Sequence, residues 1–311
     1  MGELDIIGLG LTTLDVLMRL SDMPTWERPG RLSGFGLDGG GMVGTACVAA
    51  ARLGARVGYV GVAGSDLVAD LKVRSLTDSG VDTSRLVRRE GPEGQVVVVF
   101  VDETTGERAF CGLRTFGDNV LRPEELDRDY ITSAPFLHLD GFHRQAALLA
   151  AQWTHEAGGR VCIDCAKTSG RAVSQDMIEL LSHVDILICG SGFGHSLTGH
   201  ADPFAAGEAM LGLGPGIVVQ TEGEGGSYTV TPEERFHTPA FEVDVVDTTG
   251  AGDVFHGAYL AGLLRGWDLE TVAEFATAVS AIECMTLGGR AGIPTFDQTR
   301  AFLADRGIAL P

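Results

Sequence analysis

A chain of 311 residues, 44% hydrophobic and 21% charged, can bury a large core in one large domain or two smaller ones. Its formal net charge of −19 argues against nucleic acid and anionic membrane as partners, because both need a basic patch, but it leaves room for a phosphate site built from local donors. The start at Gly2-Glu3-Leu4-Asp5 carries no basic segment and no apolar core, so neither a secretory signal nor a membrane span is expected.

Short apolar runs at 4–8, 57–62, 136–139, 160–163, 185–188 and 216–220 predict buried strands. Helical patterns near 43–53, 65–79, 144–157, 171–182 and 203–212 fall between them. That alternation predicts an α/β fold, a parallel sheet covered by helices on both faces. A strand-like run at 241–246 then leads into helices near 251–265, 268–285 and 297–305.

Two stretches break the pattern. Residues 13–38 carry Pro24, Pro29 and several glycines, with weak alternation at 32–37. Residues 95–112 read as a hairpin, with strands at 95–101 and 107–111 around a turn at 103–106. No internal repeat or low-complexity tract is visible, and one domain over 1–311 is expected. Six cysteines are scattered through apolar runs. Cys162 and Cys165 form a C-x-x-C, but no second pair completes a zinc site, so buried thiols in a reducing cytoplasm are expected.

The densest chemical signal is Asp247-Thr248-Thr249-Gly250-Ala251-Gly252-Asp253, at the head of the helix near 251–265. A Gly-Ala-Gly turn opening a helix leaves backbone N–H groups free to bind an anion, reinforced by the helix dipole. An aspartate in the first turn beside that anion can take a proton from an attacking hydroxyl. Those are the two parts phosphoryl transfer needs. Gly250, Ala251 and Gly252 are therefore the expected anion cradle and Asp253 the expected general base. Thr249 either organises this loop with Asp247 or simply caps the turn.

Other residues carry paired readings. Arg114, after the hairpin, either grips a carboxylate or phosphate of the substrate or is a solvated surface arginine. Asp140 and His143 follow the strand at 136–139, on the sheet edge where α/β ligands bind. His256, one turn past Asp253, either touches that aspartate or packs in the helix interface. Gly8-x-Gly10 hints at a dinucleotide fold, but no third glycine opens a helix at the right spacing.

The heptapeptide 247–253, Gly40-Gly41 with Ala49-Ala50-Ala51-Arg52-Leu53-Gly54, the runs at 57–66 and 79–82, and Thr221-Glu222-Gly223-Glu224-Gly225-Gly226 occur in the order of one family's signatures. The chain resembles the ribokinase-like (PfkB) carbohydrate kinases over most of its length. The resemblance implies a ribokinase-like, Rossmann-type sheet with a small β-sheet lid at about 13–38 and 95–112. It implies ATP-dependent phosphorylation of a sugar hydroxyl with Mg2+, a monovalent cation such as K+ near Asp247 and Thr249, and a homodimer through the lid. It assigns Asp15, Gly40, Gly41 and Thr45 to the substrate, and Thr221, Gly223, Gly226, Thr277 and Asp164 to the nucleotide and phosphate channel.

Thr45 and Thr277 stand where the family has asparagines. Gly190-Ser191-Gly192-Phe193 stands in place of its N-x-x-E motif. The segment 288–294, taken with 247–256, resembles the sulfofructose kinase branch. A sulfonate needs several cationic or amide donors, however, and Pro29, Gly112 and Phe142 stand at the lid positions expected to supply them, so that substrate is not carried over. A nucleoside kinase and a catalytically weak sugar- or nucleotide-binding sensor on the same scaffold stand as alternatives. An oxidoreductase rests on Gly8-x-Gly10 alone.

Overall fold

The computed structural model describes residues 4–117, 119–166 and 172–311. The expected helix at 171–182 therefore begins outside the described residues. From the N-terminal side, β1 (Ile6–Leu9) leads into the hairpin β2 (Thr13–Asp22) and β3 (Arg31–Gly40), then α1 (Met42–Arg52), β4 (Val57–Val60), β5 (Val62–Ala63), α2 (Leu67–Thr77) and β6 (Val87–Arg88). The hairpin β7 (Val96–Asp102) and β8 (Arg108–Gly112) precedes α3 (Arg128–Ile131), β9 (Phe136–Leu139), α4 (Arg144–Glu156), β10 (Arg160–Cys165) and α5 (Gln175–Leu181). Next come β11 (Ile186–Gly190), α6 (Phe193–Thr198), α7 (Pro203–Leu211), β12 (Ile217–Thr221), β13 (Ser227–Val230) and β14 (Arg235–Thr238). Three helices follow: α8 (Ala251–Leu264), α9 (Leu269–Glu283) and α10 (Phe296–Ala304).

An eight-stranded sheet runs β14-β13-β12-β11-β10-β9-β1-β4. Its ladders are parallel from β12 to β4, while β13 and β14 join antiparallel at one edge. The central strands are buried on both faces, and so they read as unbroken apolar runs. Phe136, Cys162 and Ile188 pack with residues of α1, α8 and α9 on one side. Leu137, Ile163 and Leu187 pack with α4 and Met210 of α7 on the other. α8 is apolar nearly all round, from Val254 to Gly262, because it is sandwiched between the sheet, α1 and α9.

The two irregular stretches build a separate four-stranded sheet, β3-β2-β7-β8. Its register places Leu17, Val99 and Phe110 on one face and Met18 and Phe35 on the other. Leu17, Val99 and Val101 are buried and pack with Leu287 of the main body. Asp15 and Arg108 alternate onto the same inward face. The outer face keeps Phe35 62% and Leu37 52% exposed.

The structure departs from the sequence reading at 241–246, which forms no strand. Pro239 has no N–H to extend the ladder beyond Thr238. The N–H groups of Val246 and Asp247 instead donate to the Cys284 carbonyl, 2.8 and 3.1 Å away. The edge hairpin of β13 and β14 was not anticipated. No helix among the described residues is long and apolar enough to cross a membrane.

Candidate active site

The candidate site residues gather at the C-terminal ends of the parallel strands, where open α/β sheets bind ligands. A cleft of about 1240 Å³ lies there, lined by Thr221, Gly223, Gly226, Ala251, Gly252 and Thr277 among others. All four expected nucleotide contacts other than Asp164 thus share one cavity with the anion cradle. Gly226 sits at φ 80°, ψ −144°, a backbone state closed to other residues, and a Cβ there would lie 2.1 Å from the Thr238 carbonyl. Thr221 Oγ1 donates to the Cys189 carbonyl at 3.4 Å, and Thr277 Oγ1 to Ala273 within its own helix at 2.8 Å.

At the head of the cleft Gly250 caps α8 in the left-handed conformation, φ 81°, and a Cβ there would meet the Gly289 carbonyl at 2.8 Å. The turn delivers the Gly252 and Asp253 N–H groups without intrahelical acceptors. Nothing lies within 4 Å of where a Cβ on Gly252 would be, so the cradle is open. Asp247 fixes the loop from below. One carboxylate oxygen accepts from the Thr249 N–H (2.9 Å) and hydroxyl (2.7 Å), and the other accepts from the Gly288 N–H (3.0 Å). Thr249 therefore organises the loop rather than capping the helix.

Asp253 follows, half-buried. Burial pushes its carboxyl up to about 7; Arg290 opposes the rise, while Asp15 and Asp140 add to it. Asp15 is buried on the inner face of the lid, where its carboxylate accepts from Thr13 Oγ1 at 2.6 Å. Burial raises its pKa too, against the Thr13 hydrogen bond and the Arg290 charge. Gly40 must lack a side chain because a Cβ would fall 2.2 Å from Asp15 Oδ2. Gly41, at φ 85°, starts α1 beside it.

Asp140 is engaged in structure, accepting from the N–H groups of Leu11 (2.7 Å) and Phe142 (2.8 Å), and burial lifts it to about 6. His143 Nδ1 accepts from the Leu121 N–H at 3.0 Å, and burial lowers its pKa to about 4. Asp164, next to last in β10, is almost fully buried with its Oδ1 3.4 Å from His256 Nε2, and burial first and Asp253 second raise its pKa well above the usual carboxylate range. His256 thus packs in the interface between α8 and the sheet.

Sequence reasoning missed two arginines. Arg290 is buried. Its guanidinium donates to Thr45 Oγ1 (3.1 Å), Ser75 Oγ (2.8 Å), Thr12 Oγ1 (3.1 Å) and the Gly40 carbonyl (2.5 Å). Its backbone N–H donates to Asp38 Oδ2 at 3.0 Å. Thr45, in the asparagine position, is thereby committed to Arg290. Arg108, from the lid strand β8, reaches Thr249 Oγ1 at 3.2 Å and stands 3.6 Å from Asp247 Oδ1. Arg114 is exposed and makes no hydrogen bond or ion pair with the described residues.

In place of the N-x-x-E motif, Gly190 leaves open space around its Cα, and Phe193 is buried in the core. Ser191 donates a short hydrogen bond to Glu222, which follows β12.

The model of the pfkB family of carbohydrate kinases matches residues 8–295. The chain belongs to the pfkB family of carbohydrate kinases. This family member is 29% identical over 301 residues to the ATP-dependent ribose-1-phosphate kinase of Halopiger xanaduensis, covering 97% of this chain and 98% of that one. It is 31% identical over 292 residues to the aminoimidazole riboside kinase of Salmonella typhimurium, covering 87% and 89%. Among solved structures, the ribokinase of Thermotoga maritima superposes with a TM-score of 0.82 at 25% identity, over 97% of this chain and 99% of that one. The pfkB kinase described here is thus an ATP-dependent carbohydrate kinase with a ribokinase-like fold.

Proposed function

We propose that this kinase transfers the γ-phosphoryl group of ATP to a hydroxyl group of a furanose or a related small sugar derivative. The observation that carries the reading is the place of Asp253: half-buried, directly after the open cradle of residues 250–252, and within electrostatic reach of Asp15. Asp253 is the general base. It takes the proton of the acceptor hydroxyl as that oxygen bonds to the γ-phosphorus and the bond to the ADP oxygen breaks. The turn of Gly250, Ala251 and Gly252 holds the charge on the transferring oxygens chiefly through the Gly252 and Asp253 N–H groups, since the Ala251 N–H is turned to the Thr248 carbonyl at 3.3 Å.

Asp15, Gly40 and Gly41 form the sugar floor, and Thr45 supports it through the Arg290 guanidinium that it binds. Arg114 meets an anionic substituent from the lid. Thr221, Gly223, Gly226 and Thr277 hold the nucleotide, and Asp164 faces its phosphate channel. Mg2+ bound to ATP supplies neutralisation of the phosphate charge. The donor set fits a hydrated ion: Gly190 at the end of β11 leaves room for water, and Asp164 on β10 and Glu222 after β12 are oxygen donors on the two strands that flank it.

A monovalent cation such as K+ beside Asp247 and Thr249 must share that carboxylate with the Arg108 guanidinium. Stimulation by KCl at constant ionic strength is therefore expected to be small in the wild type and several-fold larger in Arg108→Gln. Equal responses in the two proteins would remove Arg108 from that role.

The enzyme works in the cytoplasm, as a dimer joined through the outer face of the lid, where Phe35 and Leu37 are exposed. Light scattering is expected to give a dimer for the wild type and a monomer for Phe35→Glu. A dimer in both would place the interface elsewhere.

Acceptor chemistry is tested by ADP release from MgATP with pentoses, ketoses, sugar acids, pentose 1-phosphates and nucleosides. Turnover with a free or substituted furanose is expected. Preference for a nucleoside would favour the nucleoside reading. Binding of ATP with no acceptor turned over would favour the sensor.

A further inference from the structure

A second polar cluster lies on the same face of the sheet, deeper than the catalytic residues, and the phosphoryl-transfer reading leaves it without a role. His138 of β9 and Cys162 of β10 are register partners in the parallel ladder, so their side chains share a face. Asp140 and Asp164, two residues further along, share it at the cleft edge. α8 packs across this face and brings His256, one turn past Asp253.

One ligating atom each from His138, Cys162 and His256 lie within 4.8 Å of one another. The three residues are 1%, 0% and 2% exposed. Both ring nitrogens of His138 and Nδ1 of His256 lack a hydrogen-bond partner among the described residues. Buried polar atoms are nearly always paired, and three orphans at one spot mark a missing partner. Asp164 accounts for the remaining nitrogen, with Oδ1 3.4 Å from His256 Nε2. A carboxylate there holds the proton on Nε2 and leaves Nδ1, which has no partner among the described residues, as the nitrogen free to bind a metal, as carboxylates behind metal-bound histidines do.

We propose that His138, Cys162 and His256 bind a transition-metal ion, Zn2+ foremost, in the core beneath the catalytic helix. Two imidazoles and a thiolate suit Zn2+ and do not suit Mg2+, which takes oxygen donors. Binding displaces the thiol proton of Cys162. The thiolate and the nearby Asp164 carboxylate then balance the dication, and water completes the tetrahedron. The ion ties α8 to β9 and β10, one turn from Asp253, and it enters as the chain folds because the site is closed. Cys162 stands with the two histidines and not with Cys165, which packs on the other face of β10. The inference does not depend on the acceptor chemistry above.

The test uses the full chain carrying Cys111→Ser, since Cys111 is the exposed thiol. Purified without chelator, it is expected to hold one zinc per chain by elemental analysis. Refolding with one equivalent of Co2+ is expected to give the visible bands of a tetrahedral ion and a near-ultraviolet thiolate-to-cobalt charge-transfer band. Cys162→Ser should lose the charge-transfer band, and His138→Phe should lose the ion, with circular dichroism unchanged. A zinc-free chain that shows no cobalt spectrum overturns the proposal and leaves a buried water as the missing partner. A charge-transfer band that persists in Cys162→Ser overturns it as well. Should either variant fail to fold, the zinc content and cobalt spectrum of the Cys111→Ser chain decide alone.

Discussion

Asp253→Asn is expected to lower kcat by about 10²–10⁴-fold, the usual worth of a positioned base, while the fold and ATP affinity are retained. Asparagine preserves the shape at the start of α8 but cannot take the acceptor proton. In the wild type, kcat/KM should fall on the acid side with a limb near pH 7, because burial holds the Asp253 carboxyl up at about 7 and only its ionised form is a base. Well below that limb the loss should be about tenfold per pH unit, as for a single required deprotonation. The residual activity of Asp253→Asn should lack the limb. A limb that survives the substitution would belong to another group, Asp140 being the first candidate at about 6.

Arg290→Met carries the second large effect, in stability and in pH dependence together. The guanidinium satisfies three hydroxyls and a carbonyl in a closed space, and methionine fills the volume without pairing any of them. Leaving buried acceptors unpaired, and removing the cation opposite Asp38 and Asp15, should lower unfolding free energy by roughly 2–4 kcal/mol in urea titration. The cationic side chain also holds the Asp253 pKa down. Its loss should therefore move the acid limb to higher pH, so that activity at neutral pH falls further than at pH 9. Arg290→Lys keeps a charge but not the fork of donors; it should hold the limb while recovering only part of the stability. An unmoved limb in Arg290→Met would break the link between the two residues.

The parts of this site that lie close together in sequence were legible in it. The heptapeptide 247–253 carries its turn, its loop-fixing Asp247 and the proposed base within seven residues, and the buried parallel strands announce themselves as apolar runs. The lid strands also fell where the α/β alternation broke. What was not legible depends on contacts made across the chain. Arg290 meets Thr45 and Thr12 over separations of 245 and 278 residues, and Arg108 meets Thr249 over 141, so no local pattern marks either arginine.

The run at 241–246 looked like a strand because its valines alternate with acidic residues, but Pro239 withholds the ladder and the backbone donors turn to the end of α9. β13 and β14 are four residues each, too short to stand out beside the glycine-rich loop before them. His256 was poised between two readings in sequence. Register resolves it, since Asp164 and Cys162 stand on the face that α8 covers.

The most direct test of the central claim follows radiolabelled γ-phosphate from ATP into the best acceptor, with wild type and Asp253→Asn side by side at pH 8. The account predicts labelled sugar phosphate matched to ADP in the wild type, and at least about a hundredfold less in the variant with ATP binding intact. Equal transfer by the two proteins would contradict it.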